Sequence, residues 1–147
     1  GRFYVPVNGY MGQDSHVADS TKALRLMLGV DDNREGRIRL VPRFPASWTK
    51  CEISDYPVLL GDHRGRLGYE MERGERFMRM RIRLTRPSAL ELRLGPVPRD
   101  VMVQEARVNG APVAFEPVCS GDSGWVWLRG LNGSVFAVEL YYMPREG

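Results

Sequence analysis

Several short stretches carry residue types capable of chemistry. "SGDSGW" (120–125) has the outline of a serine-protease nucleophile loop. A serine nucleophile needs a histidine base oriented by a third group, and the only histidines are His16 and His63, in unrelated surroundings. Trp125 also stands where another glycine is required, so the stretch reads as a hairpin turn. "DDNREG" (31–36) sets Asp31, Asn33, Glu35 and Gly36 like the start of a calcium loop. Pro42 occupies the place of the closing bidentate glutamate, and strand-like sequence follows instead of a helix, so no calcium is expected. Glu70 and Glu72 fall on one face of a strand, and Asp31 and Asp32 sit in a turn. Paired carboxylates serve glycoside hydrolysis as acid and base or nucleophile. Alternating acids on a sheet are more often simply solvated, and no catalytic residue is expected in this chain.

Two further groups bear on binding. In "GYMGQDSHVAD" (9–19), Tyr10, Gln13, Asp14 and His16 gather before and within a first helical turn. Such side chains cap a helix; at the end of a helical barrel they would line the rim of a substrate pocket. Trp125 and Trp127 share one side of a strand, a spacing that suits stacking on sugar rings. Val126 and Leu128 fill the other side, so a central strand buried on both faces is the expected setting. Cys51 and Cys119 fit no zinc pattern, and two free, partly buried thiols are expected. No metal or cofactor is expected.

The elements positioning these residues divide unevenly along the chain. "DSHVADSTKALRLMLG" (14–29) predicts a helix, capped by Asp14 or Ser15 and ended by Gly29. Val17, Thr21, Leu24 and Leu28 form an apolar stripe that must pack against something. After Gly29 the pattern turns to short alternating segments: 37–41, 51–56, 66–72, 76–84, 89–94, 101–108, 112–116, 124–129 and 134–142. "GDHRG", "RPS", "GPVPRD", "SGDSG" and two Asn-Gly pairs punctuate them. "ARVNGAPVAF" predicts a hairpin, because Asn-Gly supplies both positive φ angles of a type I′ turn. The expected fold is mainly β: an antiparallel, jelly-roll-like β-sandwich preceded by one amphipathic helix.

Composition narrows the function classes. The chain has 147 residues, 43% of them hydrophobic and 27% charged, as in an ordinary soluble domain. That length allows burial of roughly 68–70% of the unfolded surface. The net charge is only +3, yet 19 of the 21 basic residues are arginine. In "RFMRMRIRL" (76–84), Arg79, Arg81 and Arg83 alternate with Met78, Met80, Ile82 and Leu84. That predicts a half-buried strand with a basic outer row. No aromatic platform interleaves with those arginines and acids are mixed among them, so neither nucleic acid nor membrane is an expected partner. There is no long apolar span and no signal-peptide pattern. The absence of an initiator Met suggests a fragment or a processed product.

One resemblance covers residues 10–60. A helix ending "ALRLMLGVDD", then "GRIRLVPRFPASW", then "CEISDYPV", resembles the C-terminal end of bacterial six-hairpin (α/α)-barrel glycoside hydrolases of the α-L-rhamnosidase-like type. In that family the final barrel helix ends in "LLG", a strand with two prolines leads to a Trp, and a β-sandwich follows. The resemblance implies that 1–29 is the remnant of a barrel, 30–48 a connecting strand and linker, and 49–147 the sandwich. It also implies a non-catalytic accessory role beside a catalytic barrel of the same polypeptide, in the bacterial cytoplasm, with the catalytic carboxylates upstream. Leu24, Leu28 and Trp48 would then pack across the interdomain seam, and Pro42 and Pro45 would end the strand before it. The alternative is a stand-alone carbohydrate-binding module using Trp125 and Trp127.

Overall fold

A computed structural model describes residues 2–6, 28–32, 37–44, 47–60, 63–120 and 123–145. These residues form ten strands: β1 (Arg2–Pro6), β2 (Val30–Asp31), β3 (Arg37–Leu40), β4 (Lys50–Leu60), β5 (His63–Arg73), β6 (Phe77–Val97), β7 (Val101–Val108), β8 (Ala111–Pro112), β9 (Glu116–Ser120) and β10 (Ser123–Pro144). All belong to one open sheet, mixed rather than wholly antiparallel, because β1–β4 and β3–β6 pair in parallel. Of the segment expected to be helical, only Leu28 and Gly29 are described.

Period-two alternation sets the faces. On β6 the side chains of Met78, Met80, Ile82 and Leu84 are buried while Arg79, Arg81 and Arg83 point to solvent. On β4 the buried positions switch parity, from Cys51 and Ile53 to Tyr56, Val58 and Leu60. Asp55, with φ of 57°, sits in the bulge responsible: Ile53 pairs with Tyr69 and Tyr56 with Leu67, leaving one extra residue on β4.

The long strands β6 and β10 pair along most of their length. "RPS" and the second Asn-Gly, expected as turns, lie inside these strands instead. Gly133 pairs with Ser88 and Val135 with Arg83, so β6 carries three extra residues in that interval. Thr85, Arg86 and Pro87 are exposed there, and Thr85 Oγ1 accepts the Arg66 backbone N–H at 3.0 Å. A second bulge adds a residue to β10 between Leu128 and Leu131. Both are breaks in register, which bend a sheet without ending it.

The bend is large. Val97 pairs with Gly124 and Val101 with Pro144, and only Pro98–Asp100 separate them. That connection reaches about 14 Å at most, whereas an unbent strand would hold Gly124 and Pro144 roughly 65–70 Å apart. The ribbon therefore folds back. One half carries β1, β4, β5, β7 and β8; the other carries β2, β3 and β9. Inward residues of both halves, among them Ile38, Leu92, Leu128, Tyr69, Met80 and Phe136, belong to one hydrophobic cluster.

The first Asn-Gly does form the expected hairpin. Asn109 (φ 52°) and Gly110 (φ 82°) link β7 to β8, with Val108 opposite Ala111. The Asn109 amide also joins the ladder: its Oδ1 accepts the Ala137 N–H at 2.8 Å and its Nδ2 donates to the Val135 carbonyl at 3.2 Å.

Gly29 has a stricter role. It has φ of 67°, and a Cβ there would lie 1.8 Å from the Val41 carbonyl oxygen. Its own carbonyl accepts the Val41 N–H at 2.8 Å. Gly110 shares the left-handed conformation but has open space around it. Gly110→Ala should therefore cost about 1–2 kcal/mol, the left-handed penalty alone. Gly29→Ala adds a backbone collision and should cost about 3–5 kcal/mol. Urea unfolding at constant m-value measures both; equal losses would refute the packing account.

Candidate functional site

On the half carrying β3, the even-numbered residues of β6 and β10 point inward. Val126 and Leu128 are buried there, while Trp125 and Trp127 lie on the opposite face and remain half-buried. The expectation of two buried faces is thus corrected: among the described residues no second layer covers the indoles, and arginines border them. Trp127 has guanidinium carbons at 4.9 Å (Arg129), 5.6 Å (Arg39) and 5.7 Å (Arg93) from its ring centre. Arg93 also lies 5.2 Å from the Trp125 ring, and its buried Nε has no hydrogen-bond partner among the described residues. Indole faces attract such cations by about 0.5–1 kcal/mol each when exposed.

Carboxylates hold the other two arginines. Glu91, only 8% exposed, accepts from Arg39 Nε at 2.9 Å and lies 3.6 Å from Arg129 Nε. Glu116 on β9 lies 3.5 Å from Arg129. Trp125 is set by Gly95: a Cβ at that position would lie 2.8 Å from the indole. The result is a pair of partly exposed aromatic rings ringed by hydrogen-bond donors, a surface able to stack on a flat ligand and bond its rim.

The other outer face carries mixed charge. Direct pairing across β4, β5, β6, β10 and β7 places Lys50, Glu72, Arg79, Glu139 and Arg107 in one row of alternating sign. Cross-strand opposite charges stabilise modestly. Arg83 and Glu70, at 3.4 Å, are both about half exposed and add little. Glu70 and Glu72 are therefore set among cations. Two aromatics share the face of the arginines: Phe77, whose ring lies 4.3 Å from the Arg79 guanidinium carbon, and Tyr141, which pairs with Phe77 and donates its hydroxyl to Glu139.

The seam candidates fall where the connecting segment meets the core. Leu28 is fully buried, and its carbonyl accepts the Tyr69 hydroxyl at 3.4 Å. Trp48 is half-buried and stacks on Phe44 at 5.6 Å, and Phe44 meets Tyr69 edge-on at 6.3 Å. Arg73 donates from Nη2 to the Phe44 carbonyl at 3.3 Å. Leu24 and the group Tyr10, Gln13, Asp14 and His16 lie outside the described residues.

Both cysteines are free, Cys51 buried and Cys119 exposed. Among the described residues no three His, Cys, Asp or Glu side chains converge on a metal site, and no helix is long and apolar enough to cross a membrane. The Asp32 carboxylate accepts the Leu59 N–H at 2.6 Å. The arginine–glutamate frame of the tryptophan face escaped sequence reasoning. Arg93 in "ELRLG" and the tryptophans share outward parity, but their contact depends on a register that the alternation does not specify. No family model, curated protein or solved structure matches this chain.

Burial pushes the Cys51 thiol up to about 11; Arg73 opposes the rise and Glu52 adds to it. Tyr142 is pushed up to about 12, again by burial against the pull of Arg73. Both groups resist losing a proton in the folded state, so their contribution is complete below the unfolded values near 9 and 10. It is lost as pH rises through the folded values. Unfolding free energy should hold up to about pH 9 and fall between about 9 and 12. Cys51→Ala should remove the lower part of that fall, and an unchanged profile in this variant would count against the assignment.

Proposed function

We propose that this chain is a non-catalytic accessory β module of a carbohydrate-active enzyme of the rhamnosidase-like glycoside hydrolase type. In this reading the bent sheet works as a sandwich-like support seated on a catalytic helical barrel of the same polypeptide. The observation that carries it is the way the connecting segment is built into the sheet. Leu28 is buried without residual exposure, Gly29 is tied to Val41, and Phe44 stacks on Trp48 and meets Tyr69 edge-on. A helix arriving at Leu28 would be held rigidly to the sheet, as an accessory domain that braces a catalytic one requires. The arrangement of "GRIRLVPRFPASW" between a helix-like segment and a strand supports the same reading. Glu70 and Glu72, interleaved with Arg79, Arg81 and Arg83, suit a solvated face better than a poised acid and base.

The deciding experiment is the intact mass of the native polypeptide, captured from source cells with an antibody against this module. A species much larger than 16.7 kDa that hydrolyses glycosides is the expected result. A native product of this size, or glycosidase turnover by the 147-residue chain itself, would overturn the reading.

A second reading is favoured by the half-buried, outward-facing Trp125 and Trp127, whose arginine border offers donors to sugar hydroxyls. Glycan binding should then be saturable and weaken at least tenfold in a Trp125→Ala, Trp127→Ala double variant, about 1.4 kcal/mol or more. Titration against an immobilised glycan panel measures this, and no binding to any member would remove the reading.

A further inference from the structure

The arginines around Trp125 and Trp127 are not equally matched by carboxylates. Glu91 serves Arg39 and Arg129, and Glu116 serves Arg129 again. Arg93 stands directly across from Trp127 in the β6–β10 register. Its guanidinium carbon lies 5.2 Å from the Trp125 ring centre and 5.7 Å from that of Trp127. Among the described residues Arg93 makes no ion pair and no hydrogen bond. Of its guanidinium nitrogens only Nε is buried without a partner, and the residue as a whole is half-buried, which leaves the Nη edge toward solvent. Among the described residues the two glutamates thus face three guanidinium groups, an excess of one positive charge centred on Arg93. A cation partly stripped of water and without a counter-charge is unfavourable, and an arriving anion relieves it.

We infer that this face takes an acidic sugar, a uronate residue within a glycan, whose carboxylate bonds the Nη edge of Arg93 while its ring lies on the exposed part of an indole. The inference rests on the sugar-binding reading above and adds to it the charge of the ligand. A guanidinium offers a carboxylate two parallel N–H donors, a planar match that a single hydroxyl does not make. In a uronate the carboxylate is attached directly to the sugar ring, so one residue supplies both the anion and the stacking surface. Arg93 lies against both indoles, which places its donors beside either ring. Glu91 and Glu116 are set against Arg39 and Arg129, and they oppose the ligand less than free carboxylates would.

The experiment is calorimetric titration of the 147-residue chain with tetramers of galacturonate, glucuronate and mannuronate, each beside its carboxyl-reduced neutral counterpart. At least one uronate tetramer should bind saturably and about tenfold more tightly than its counterpart, as a charged hydrogen bond gives. That preference should shrink as salt rises. Arg93→Gln with an unchanged urea midpoint should remove the preference and leave the neutral affinity as it was. Arg93→Lys, which keeps the charge but not the fork, should retain only part of it. The Trp125→Ala, Trp127→Ala double variant should lose both ligands. The acid-to-neutral ratio is read in the parent chain, so it decides even where a variant folds poorly. Equal binding of the neutral form, lost in the tryptophan double variant, would overturn the inference and leave the sugar reading standing. Binding of no uronate, uronate binding that survives the loss of both tryptophans, or an undiminished preference in folded Arg93→Gln would each overturn it as well.

Discussion

Everything in this structure depends on one hydrogen-bonded ribbon, β6 against β10. A flat ribbon of this length would expose a row of Met, Ile, Leu and Val on one side with nothing to cover it. The extra residues near Thr85–Pro87 and between Leu128 and Leu131 turn it back on itself, so that inward side chains of one half meet those of the other. Burial of that shared apolar face is the main favourable term. The bulges place irregular backbone where Thr85 and solvent can satisfy it, as with the Arg66 N–H. The remaining strands are additions to this ribbon: β5 and β7 on one half, β3 and β9 on the other.

The charged residues fall into three settings with different consequences. The row from Lys50 to Arg107 alternates in sign across five strands and is solvated, which favours register more than affinity for any partner. Around Trp127 the same residue types are drawn together by indole faces and by the nearly buried Glu91, a partly exposed arrangement that borders the rings. Beside Tyr69, the half-buried Arg73 lies close enough to Cys51 and Tyr142 to moderate the effect of burial on both. Arginine in this chain acts mainly as a planar, stackable cation among protein groups, which lysine would replace poorly.

Much of the fold was legible in the residues. The Met-Arg alternation of 76–84 gave both faces of β6, and Asn109-Gly110 gave its hairpin and turn type. Gly29 was expected to end a helix that lies outside the described residues; what the structure gives is its left-handed φ and its contact with Val41. The breaks were misread because Pro87 and Asn132-Gly133 have turn chemistry, yet a long strand can absorb such residues as a bulge. The parity switch at Asp55, from Cys51 and Ile53 to Tyr56 and Val58, was not read from the sequence, because only cross-strand register shows it to be a bulge. For the tryptophans, alternation separated them from Val126 and Leu128 but could not say whether another layer covered them. That depends on how the two halves meet, a long-range property that local pattern does not encode.

The position of β10 in the chain has a consequence for synthesis. It is the last described strand, yet β6, β7 and β9 all pair with it. During translation those three strands must wait, each with an open edge, until residues 123–144 have emerged. Long-range pairings of this kind form late, and unpaired edges are sites of association between chains. A ribosome stalled before Ser123 would leave a product with most of the apolar residues and none of the strand that closes them together. Such a fragment is a substrate for chaperones and proteases rather than a smaller version of the fold.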